Sequence, residues 1–157
     1  MIEEVRGNLL AADADTLVNA VNTVGVMGKG IALQFKRAYP EMFNAYVDAC
    51  NAGEVKIGKM HVWSTGSPTG PRFIINFPTK RHWRSPSRIE YVDDGLQDLV
   101  KVVRDRKIQS VAIPPLGAGN GGLNWAQVRP RIIAAFERMP DIRVLLFEPL
   151  GVPAAKV

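Results

Sequence analysis

Two glycine-rich segments, at residues 25–31 and 114–123, constrain most strongly what this chain can fold into. Each follows a short apolar run typical of a buried strand, at residues 16–22 and 110–113, and each precedes a helical pattern of apolar residues. Glycine lets the backbone approach a ligand with its N–H groups unobstructed, and a helix N-terminus favours a bound anion. Two such strand–loop–helix units predict a mainly parallel sheet, and their loops are candidates for the two walls of one diphosphate site.

The rest of the pattern predicts an α/β fold in which strands and helices alternate along the chain. A short first strand is predicted to end at residues 5–7, and further strands are predicted at residues 60–63, 73–77 and 142–147. Helices are predicted from Gly30, from Pro40 to Gly53, behind a Ser87–Glu90 capping box, and behind an Asn124–Gln127 cap, with Pro130 bending the last helix or marking its true start. This alternation places helices on both faces of the sheet.

Composition excludes several classes of protein. The chain has 157 residues, 46% of them hydrophobic, which is enough for one packed core. It opens with acidic residues and has no apolar leader or membrane-length apolar run, so we expect a soluble cytoplasmic protein. Cys50 is the single cysteine and His61 and His82 are the only histidines, so we expect no internal disulfide, no metal and no cofactor.

Polar residues follow several of the predicted strands at the same end. Asn22 and the first glycine-rich segment follow one strand, Thr79 and Lys80 follow another, and the second glycine-rich segment follows a third. If these strands are parallel neighbours, all of them converge on one cleft at the carboxyl edge of the sheet. The loops would supply N–H groups for phosphates, Asn22 an amide for sugar hydroxyls, and Lys80 a cation or an amine. The alternative is that the glycines serve only tight turns, that Asn22 only caps one, and that Lys80 is a solvated surface lysine.

Neither glycine-rich segment fits the better-known phosphate-binding signatures. The P-loop pattern requires Ser or Thr after its lysine, whereas Lys29 is followed by Gly30. The second segment contains a Gly-x-Gly at residues 117–119, but a dinucleotide-binding fingerprint normally stands near the start of its domain. The sequence therefore argues against an ATPase and against a dehydrogenase.

Residues 80–88 form a basic segment with four cations, no acid and a tryptophan in the middle. The net charge of the whole chain is +5, which is compatible with an anionic partner. Arg81, His82, Trp83 and Arg84 have the composition of a single-stranded DNA contact, with cations for phosphates and an aromatic face for a base. The alternative is a mobile solvated loop with Trp83 folded onto the body of the domain.

An ordered set of motifs resembles the macrodomain family over residues 1–149. The motifs that carry the resemblance stand at residues 7–10, 18–22, 25–32, 113–119 and 123–125. The resemblance implies a three-layer α/β/α domain with a mixed, mainly parallel central sheet and an ADP-ribose site, which agrees with the diphosphate cleft expected from the loops. Residues 150–157 would then be a tail, and a linker to a further C-terminal region.

Residues 25–31 and 76–80 resemble one macrodomain branch, the terminal ADP-ribose protein glycohydrolases, which includes antitoxins of DNA ADP-ribosyltransferase toxins. The resemblance implies an enzyme that removes ADP-ribose from thymidine bases of single-stranded DNA. It also implies a cognate toxin as partner, bound through a region beyond this chain. Nothing in the sequence suggests an obligate assembly, so we expect a monomer. Alternatives are a non-catalytic ADP-ribose-binding module and a hydrolase of ADP-ribosylated protein carboxylates or of ADP-ribose 1″-phosphate.

The same resemblance assigns the site. It makes Lys80 the catalytic residue, acting on the distal ribose. The residues it assigns to ADP-ribose are Asn8, Leu9, Asn22, Met27, Gly28, Lys29, Gly30, Ile31, Thr79, Pro115, Leu116, Gly117, Ala118, Gly119, Asn120 and Gly121. Two positions depart from the family pattern, because Asn8 stands where many macrodomains carry Asp, and Gly121 stands where the human enzyme of this branch has a catalytic aspartate.

Lys80 could act in two ways. As a nucleophile it would need a neutral amine, and Arg81 and Arg84, close in sequence, could lower its pKa. As a cation it would stabilise the departing base electrostatically. The sequence leaves both open.

Overall fold

A mixed six-stranded sheet with helices on both faces forms the domain in the computed structural model, which describes residues 1–149. The described elements are β1 (Ile2–Val5), a 3₁₀ turn (Leu9–Ala11), β2 (Thr16–Val21), α1 (Gly30–Ala38), α2 (Pro40–Asn51), β3 (His61–Ser64), β4 (Phe73–Pro78), α3 (Ile89–Asp105), β5 (Ser110–Ile113), α4 (Trp125–Glu137) and β6 (Arg143–Phe147). The predicted tail at residues 150–157 lies outside the described residues. Within the described part, no helix is long and apolar enough to cross a membrane.

The strand order is β1-β6-β5-β2-β4-β3, and every neighbouring pair is parallel except β3 with β4. The predicted mixed, mainly parallel sheet is therefore confirmed. β2 lies between β4 and β5 and is buried at every residue except Ala20, which is half-buried, as expected for an interior parallel strand covered on both faces. All the parallel strands end at one edge, where the two glycine-rich segments begin.

Each face of the sheet has its own apolar core. One core packs α3 and α4 against the sheet, and the other packs α1 and α2 against the opposite face. Val18 and Ile75 belong to the first core, while the adjacent Leu17 and Ile74 belong to the second, since successive strand residues point to opposite faces. The three-layer α/β/α architecture follows from this alternation.

Helix starts were predicted with mixed success. Asn124 caps α4 as expected, because its Oδ1 accepts a hydrogen bond from the N–H of Ala126 at 2.9 Å. Pro130 lies inside α4 and is not its start. The Ser87–Glu90 capping box is wrong, since α3 begins at Ile89 with Arg88 as its N-cap and with no side-chain cap. The Ser87 hydroxyl is buried against the second glycine-rich segment instead.

Gly95 lies where α3 packs closely against Phe77 of β4. A Cβ atom added there would lie 2.2 Å from Cζ and 2.4 Å from Cε1 of the fully buried Phe77. In an exposed helix interior, Gly→Ala stabilises by about 1 kcal/mol. Overpacking a core costs about 1–3 kcal/mol, and here the added Cβ meets a ring that is fully buried, so we expect the steric cost to win.

We therefore expect Gly95→Ala to lower the free energy of unfolding, measured by urea denaturation. Gln97→Ala, at an exposed position of the same helix, is the matched control and should change it little. Adding Phe77→Leu to Gly95→Ala should recover part of the loss. Equal stability of the Gly95→Ala and Gln97→Ala variants would show that α3 does not depend on this close approach.

A buried amide network links β2, β4 and β3 beneath the sheet edge. Asn76 Oδ1 accepts from Asn19 Nδ2 at 3.2 Å, and Asn76 Nδ2 lies 3.0 Å from Nδ1 of His61. The amide nitrogen can only donate, so His61 Nδ1 must accept, which requires the neutral ring with its proton on Nε2. Burial lowers the pKa of His61 below 6.5, and the carboxylate of Glu54 opposes that effect.

The lowered pKa of His61 predicts how stability depends on pH. As pH falls below about 6.5, the unfolded chain takes up the proton first, so folding loses about 1.4 kcal/mol for each unit by which the folded pKa lies lower. The loss ends once the pH is below the folded pKa. Urea unfolding between pH 5.5 and 7.5 should show this decline in the wild type and a flatter profile in His61→Gln, which keeps an acceptor but does not titrate. Parallel profiles would remove His61 as the cause.

Candidate functional site

A cavity of about 710 Å³ opens at the carboxyl edge of the sheet. Ligand sites in proteins fall in this size range, and this edge is where ligands bind in open parallel sheets. The predicted site residues on its wall are Asn8, Leu9, Asn22, Gly28, Lys29, Gly30, Ile31, Thr79, Lys80, Trp83, Pro115, Gly117, Ala118, Gly119, Asn120 and Gly121. The segments expected to converge therefore do converge on one cleft.

Two residues assigned to ADP-ribose do not lie on the cavity wall. The side chain of Met27 is buried in the core beneath α1 and α2, and that of Leu116 is buried in the core beneath α3 and α4. Met27 stands in the loop between β2 and α1 and Leu116 in the loop after β5, and each loop turns that side chain inward between the sheet and its helices. Their structural role is to anchor the loops that carry them.

Several wall residues were not foreseen, notably Phe147 and Glu148 at the end of β6. Their signal was available, because residues that follow any parallel strand reach the same edge. Glu148 Oε2 accepts from Arg6 Nε at 2.7 Å, and the Glu148 side chain is only 17% exposed. The other added wall residues are Gly7, Ala20, Val21, Val26, Ala32, Gln34, Pro114 and Pro149.

The side chain of Asn22 holds the first glycine-rich segment in place. Its Nδ2 donates to the carbonyl of Val26 at 2.7 Å, and its Oδ1 accepts from the N–H groups of Val24 and Val26. The hydroxyl of Tyr46 lies 2.7 Å from the main-chain carbonyl oxygen of Asn22 and 2.9 Å from the same Oδ1, so its one proton is shared between them. The loop-capping alternative for Asn22 is thus present in the structure, and one N–H of its amide is left for a ligand.

The first glycine-rich segment leads directly into α1. Gly30, the first residue of α1, has φ +62°, a conformation that favours glycine. The N–H groups of the first helical turn have no intrahelical partner, and the positive end of the helix dipole lies at the cavity wall. This end of α1 suits a phosphate.

The second glycine-rich segment presents a similar row of N–H groups. Within the described residues, the N–H groups of Gly119, Asn120 and Gly121 have no hydrogen-bond partner. A turn formed by Ala118 N–H and Pro115 O, and a contact from Leu123 N–H to Gly117 O, both 2.9 Å, shape the loop around them. Successive free N–H groups of this kind form an anion-binding concavity.

The two glycine-rich segments meet across the cleft. A Cβ atom added to Gly30 would lie 2.8 Å from Nδ2 of Asn120. The carbonyl of Asn120 also accepts a hydrogen bond from Lys80 Nζ. A diphosphate bound between the two segments would therefore lie close to the side chain of Lys80.

Gly121 has no room for a side chain. A Cβ atom there would lie 2.3 Å from Ser87 Oγ, 2.9 Å from Ser87 Cβ and 2.5 Å from the carbonyl oxygen of Gly117. The N–H of Ser87 also donates to the carbonyl of Gly121 at 3.0 Å, which holds the two segments together. The carboxylate that the family branch implies at this place is excluded by packing and not only by sequence.

Lys80 lies at the cavity wall without a carboxylate partner among the described residues. Its Nζ donates to the carbonyl oxygens of Trp83 and Asn120, each at 3.3 Å. Burial lowers the pKa of Lys80 below 10.5, and the charge of Lys29 lowers it further. An amine in this position is closer to neutrality than an exposed lysine.

The cation beside Lys80 differs from the one expected. Arg84 lies over the ring of Trp83, with its guanidinium carbon 4.5 Å from the centroid, and Arg81 lies over the ring of Tyr91 at 5.7 Å. The expected lowering of the Lys80 pKa by these arginines is not found. The neighbouring charge that lowers this pKa belongs to Lys29, in the first glycine-rich segment. Sequence proximity could not show this.

The basic segment divides between the cavity and the surface. Trp83 lines the cavity and is 40% exposed, so it is not folded into the core. Arg81, His82 and Arg84 lie outside the cavity wall. The DNA contact predicted for these four residues stays a prediction. Among residues 1–149, no cluster of three His, Cys, Asp or Glu side chains could hold a metal ion.

Comparison with known proteins adds a family. The family model described as Macro domain matches residues 18–132. A protein of Mycobacterium tuberculosis named DNA ADP-ribosyl glycohydrolase is 59% identical over 151 residues, which are 96% of this chain and 43% of that protein. The chain therefore spans less than half the length of this curated relative.

Solved structures agree in fold. The macrodomain of Mycobacterium tuberculosis DarG is 59% identical and superposes with a TM-score of 0.94, over 95% of this chain and 98% of that one. Thermosipho africanus DarTG in complex with ADP-ribose is 33% identical and superposes with a TM-score of 0.91, over 97% of this chain and 42% of that one.

Proposed function

The chain belongs to the macrodomain family, and from this premise we propose that it removes ADP-ribose from thymidine bases of single-stranded DNA. The observation that carries the proposal is Lys80, an amine of lowered pKa at the wall of a cavity bordered by two rows of N–H groups. The name of the Mycobacterium tuberculosis relative supports DNA as the carrier of ADP-ribose.

The cavity has the features that ADP-ribose requires. Its volume of about 710 Å³ accommodates a dinucleotide-sized ligand, and the N–H groups of both glycine-rich segments suit the diphosphate. Asn8, Leu9 and Phe147 would lie at the adenine end, and Asn22 and Lys80 at the distal ribose. The solved complex of Thermosipho africanus DarTG with ADP-ribose supports this ligand.

The reaction breaks the bond between C1″ of the distal ribose and a ring nitrogen of the base. The base nitrogen leaves with the electron pair and takes up a proton, while water supplies the hydroxyl that ends on C1″. If Lys80 is neutral, its amine attacks C1″ first, and water then releases the sugar from nitrogen. If Lys80 is charged, it stabilises the negative charge that develops on the departing base.

The cavity wall limits which groups can perform proton transfer. Lys29, Lys80 and Glu148 are its titratable side chains among the described residues. Glu148 is paired with Arg6 at the end of β6, so Lys80 is the group that we assign to the reacting bond. With no room for a carboxylate at Gly121, we propose a mechanism that relies on one amine.

A toxin partner is part of the proposal. The structural relative DarTG from Thermosipho africanus is a longer chain, of which this chain covers 42%. We propose that a DNA ADP-ribosyltransferase toxin attaches the ADP-ribose that this domain removes. Binding to that toxin would be measured with the longer protein.

Release of ADP-ribose from several substrates tests the function. Wild-type protein would be mixed with single-stranded DNA modified on thymidine, with a peptide ADP-ribosylated on carboxylates, and with ADP-ribose 1″-phosphate. We expect release from the DNA and little from the other two. Binding of free ADP-ribose without release from any substrate would instead establish a binding module, which the missing carboxylate at Gly121 would then explain.

A further inference from the structure

Exposed apolar side chains cluster beside the cavity mouth. Among the described residues, four large hydrophobic side chains are conspicuously exposed: Met1 at 70%, Val24 at 46%, Trp83 at 40% and Val26 at 38%. Three of the four lie on the two loops that follow β2 and β4, next to Lys80. Val26 and Trp83 also line the cavity. Exposed apolar groups concentrated in one place mark a binding surface, whereas isolated ones need no explanation.

Hydrogen bonds fix these two loops to each other. The hydroxyl of Thr23 donates to the carbonyl of Arg81 at 2.7 Å, and the N–H of Thr23 points to the same oxygen at 3.4 Å. The loop that carries Val24 and Val26 is therefore tied to the loop that carries Trp83. We call the surface formed by Val24, Val26, Trp83 and Arg84 the rim.

Trp83 combines an aromatic face with positive charge. Arg84 lies 4.5 Å from its ring centroid, and the ring of His82 lies at 5.0 Å with an interplanar angle of 30°. The carbonyl of Trp83 accepts from Lys80 Nζ, so the main chain of the tryptophan touches the proposed catalytic amine. Residues 80–88 contain no acidic residue that would repel a phosphate.

We infer that the rim binds the nucleotides that flank the modified base in single-stranded DNA. This inference rests on the proposed function. One flanking base stacks on Trp83 in place of the Arg84 guanidinium, which moves to the phosphate of that base. Val24 and Val26 contact the apolar edge of the modified base. The cation–aromatic composition matches single-strand binding, in which aromatic rings stack on bases and cations neutralise phosphates. The rim thus makes the enzyme prefer DNA strands to isolated modified nucleosides.

Trp83→Ala tests the stacking contact. The kcat/KM for ADP-ribose release would be measured on a modified single-stranded oligonucleotide and on ADP-ribosylated thymidine nucleoside. We expect the oligonucleotide-to-nucleoside ratio to fall about 5- to 150-fold, the range for loss of one base–aromatic stack. Trp83→Phe should restore most of the ratio. Circular dichroism and urea unfolding serve as the check that the variant is folded, because Trp83 itself lines the cavity.

The outcomes separate the two proposals. If the wild type releases ADP-ribose from neither substrate, the proposed function fails. If it cleaves both and Trp83→Ala lowers both equally, the function stands and the rim is overturned. If Trp83→Ala lowers release from an ADP-ribosylated peptide by the same factor as release from the oligonucleotide, the rim proposal is also overturned, because the rim would then bind a protein chain.

Arg84→Ala tests the phosphate contact. The affinity for a single-stranded oligonucleotide would be measured at several salt concentrations. Removing one phosphate contact should make the plot of log affinity against log salt concentration less steep by about 0.7. Arg138→Ala is the matched control, because Arg138 is exposed at the end of α4, at the opposite edge of the sheet from the cavity. An identical change of slope in both variants would contradict a local phosphate contact.

Discussion

Lys80→Ala should lower the rate of ADP-ribose release by about 10²- to 10⁴-fold, the range seen when one proton-transfer or charge-stabilising group is removed. Lys80 is the amine on the cavity wall that faces the reacting ribose in the proposed complex, and within residues 1–149 no carboxylate pairs with it. Single-turnover release from thymidine-modified single-stranded DNA measures the effect. Free ADP-ribose should still bind, because the N–H groups of both glycine-rich segments remain.

Two further measurements distinguish the roles of Lys80. Lys80→Arg keeps a positive charge but has no neutral amine, so activity retained in that variant supports electrostatic stabilisation. The pH profile gives the second distinction. A nucleophilic amine gives a rate that rises with pH up to the lowered pKa of Lys80, whereas a required cation gives a rate that falls above it. Undiminished release by Lys80→Ala would contradict both roles.

Gly121→Asp should weaken ADP-ribose binding about 5- to 150-fold and should not increase release. Any side chain at this position collides with Ser87 Oγ at 2.3 Å and with the carbonyl of Gly117 at 2.5 Å. Overpacking of about 1–3 kcal/mol must move the loop whose free N–H groups face the cavity. Calorimetric titration with ADP-ribose measures the loss.

Companion variants make this prediction specific to the position. Gly119→Ala should weaken binding much less, because a Cβ there meets nothing within 4 Å. Combining Gly121→Ala with Ser87→Gly should recover only part of the affinity, since the clash with the main chain of Gly117 remains. A tightly binding and more active Gly121→Asp variant would show that the loop yields easily and that a second carboxylate can act here.

The order of strands, glycine-rich segments and helices was readable from the sequence because it depends on local patterns. Asn124 as a helix cap, Pro40 in a first turn and the apolar run at 110–113 each report on neighbours a few residues away. Parallel strands end at one edge, so the convergence of Asn22, Lys80 and the glycine-rich segments also followed. The resemblance of the motifs then implied which ligand such an edge holds.

Contacts between distant segments had no such signal. Ser87 formed a convincing capping pattern with Glu90, yet its hydroxyl packs against Gly121 in another loop. The charge of Lys29 lowers the pKa of Lys80, whereas the effect expected from the arginines close to Lys80 in sequence is not found. Met27 and Leu116 belong to the motifs of the family, but the loops that carry them turn their side chains into the cores.

The sequence by itself therefore determined the layered α/β fold and the edge at which its site lies, because periodicity and turn chemistry act over short stretches of chain. Only the tertiary structure decided that Tyr46 and the first loop occupy most of the Asn22 amide and that Gly121 has no space for a carboxylate. The physical reason is that these properties depend on how segments about 20 to 40 residues apart pack to within a few ångströms of each other, and close packing leaves each such contact little freedom.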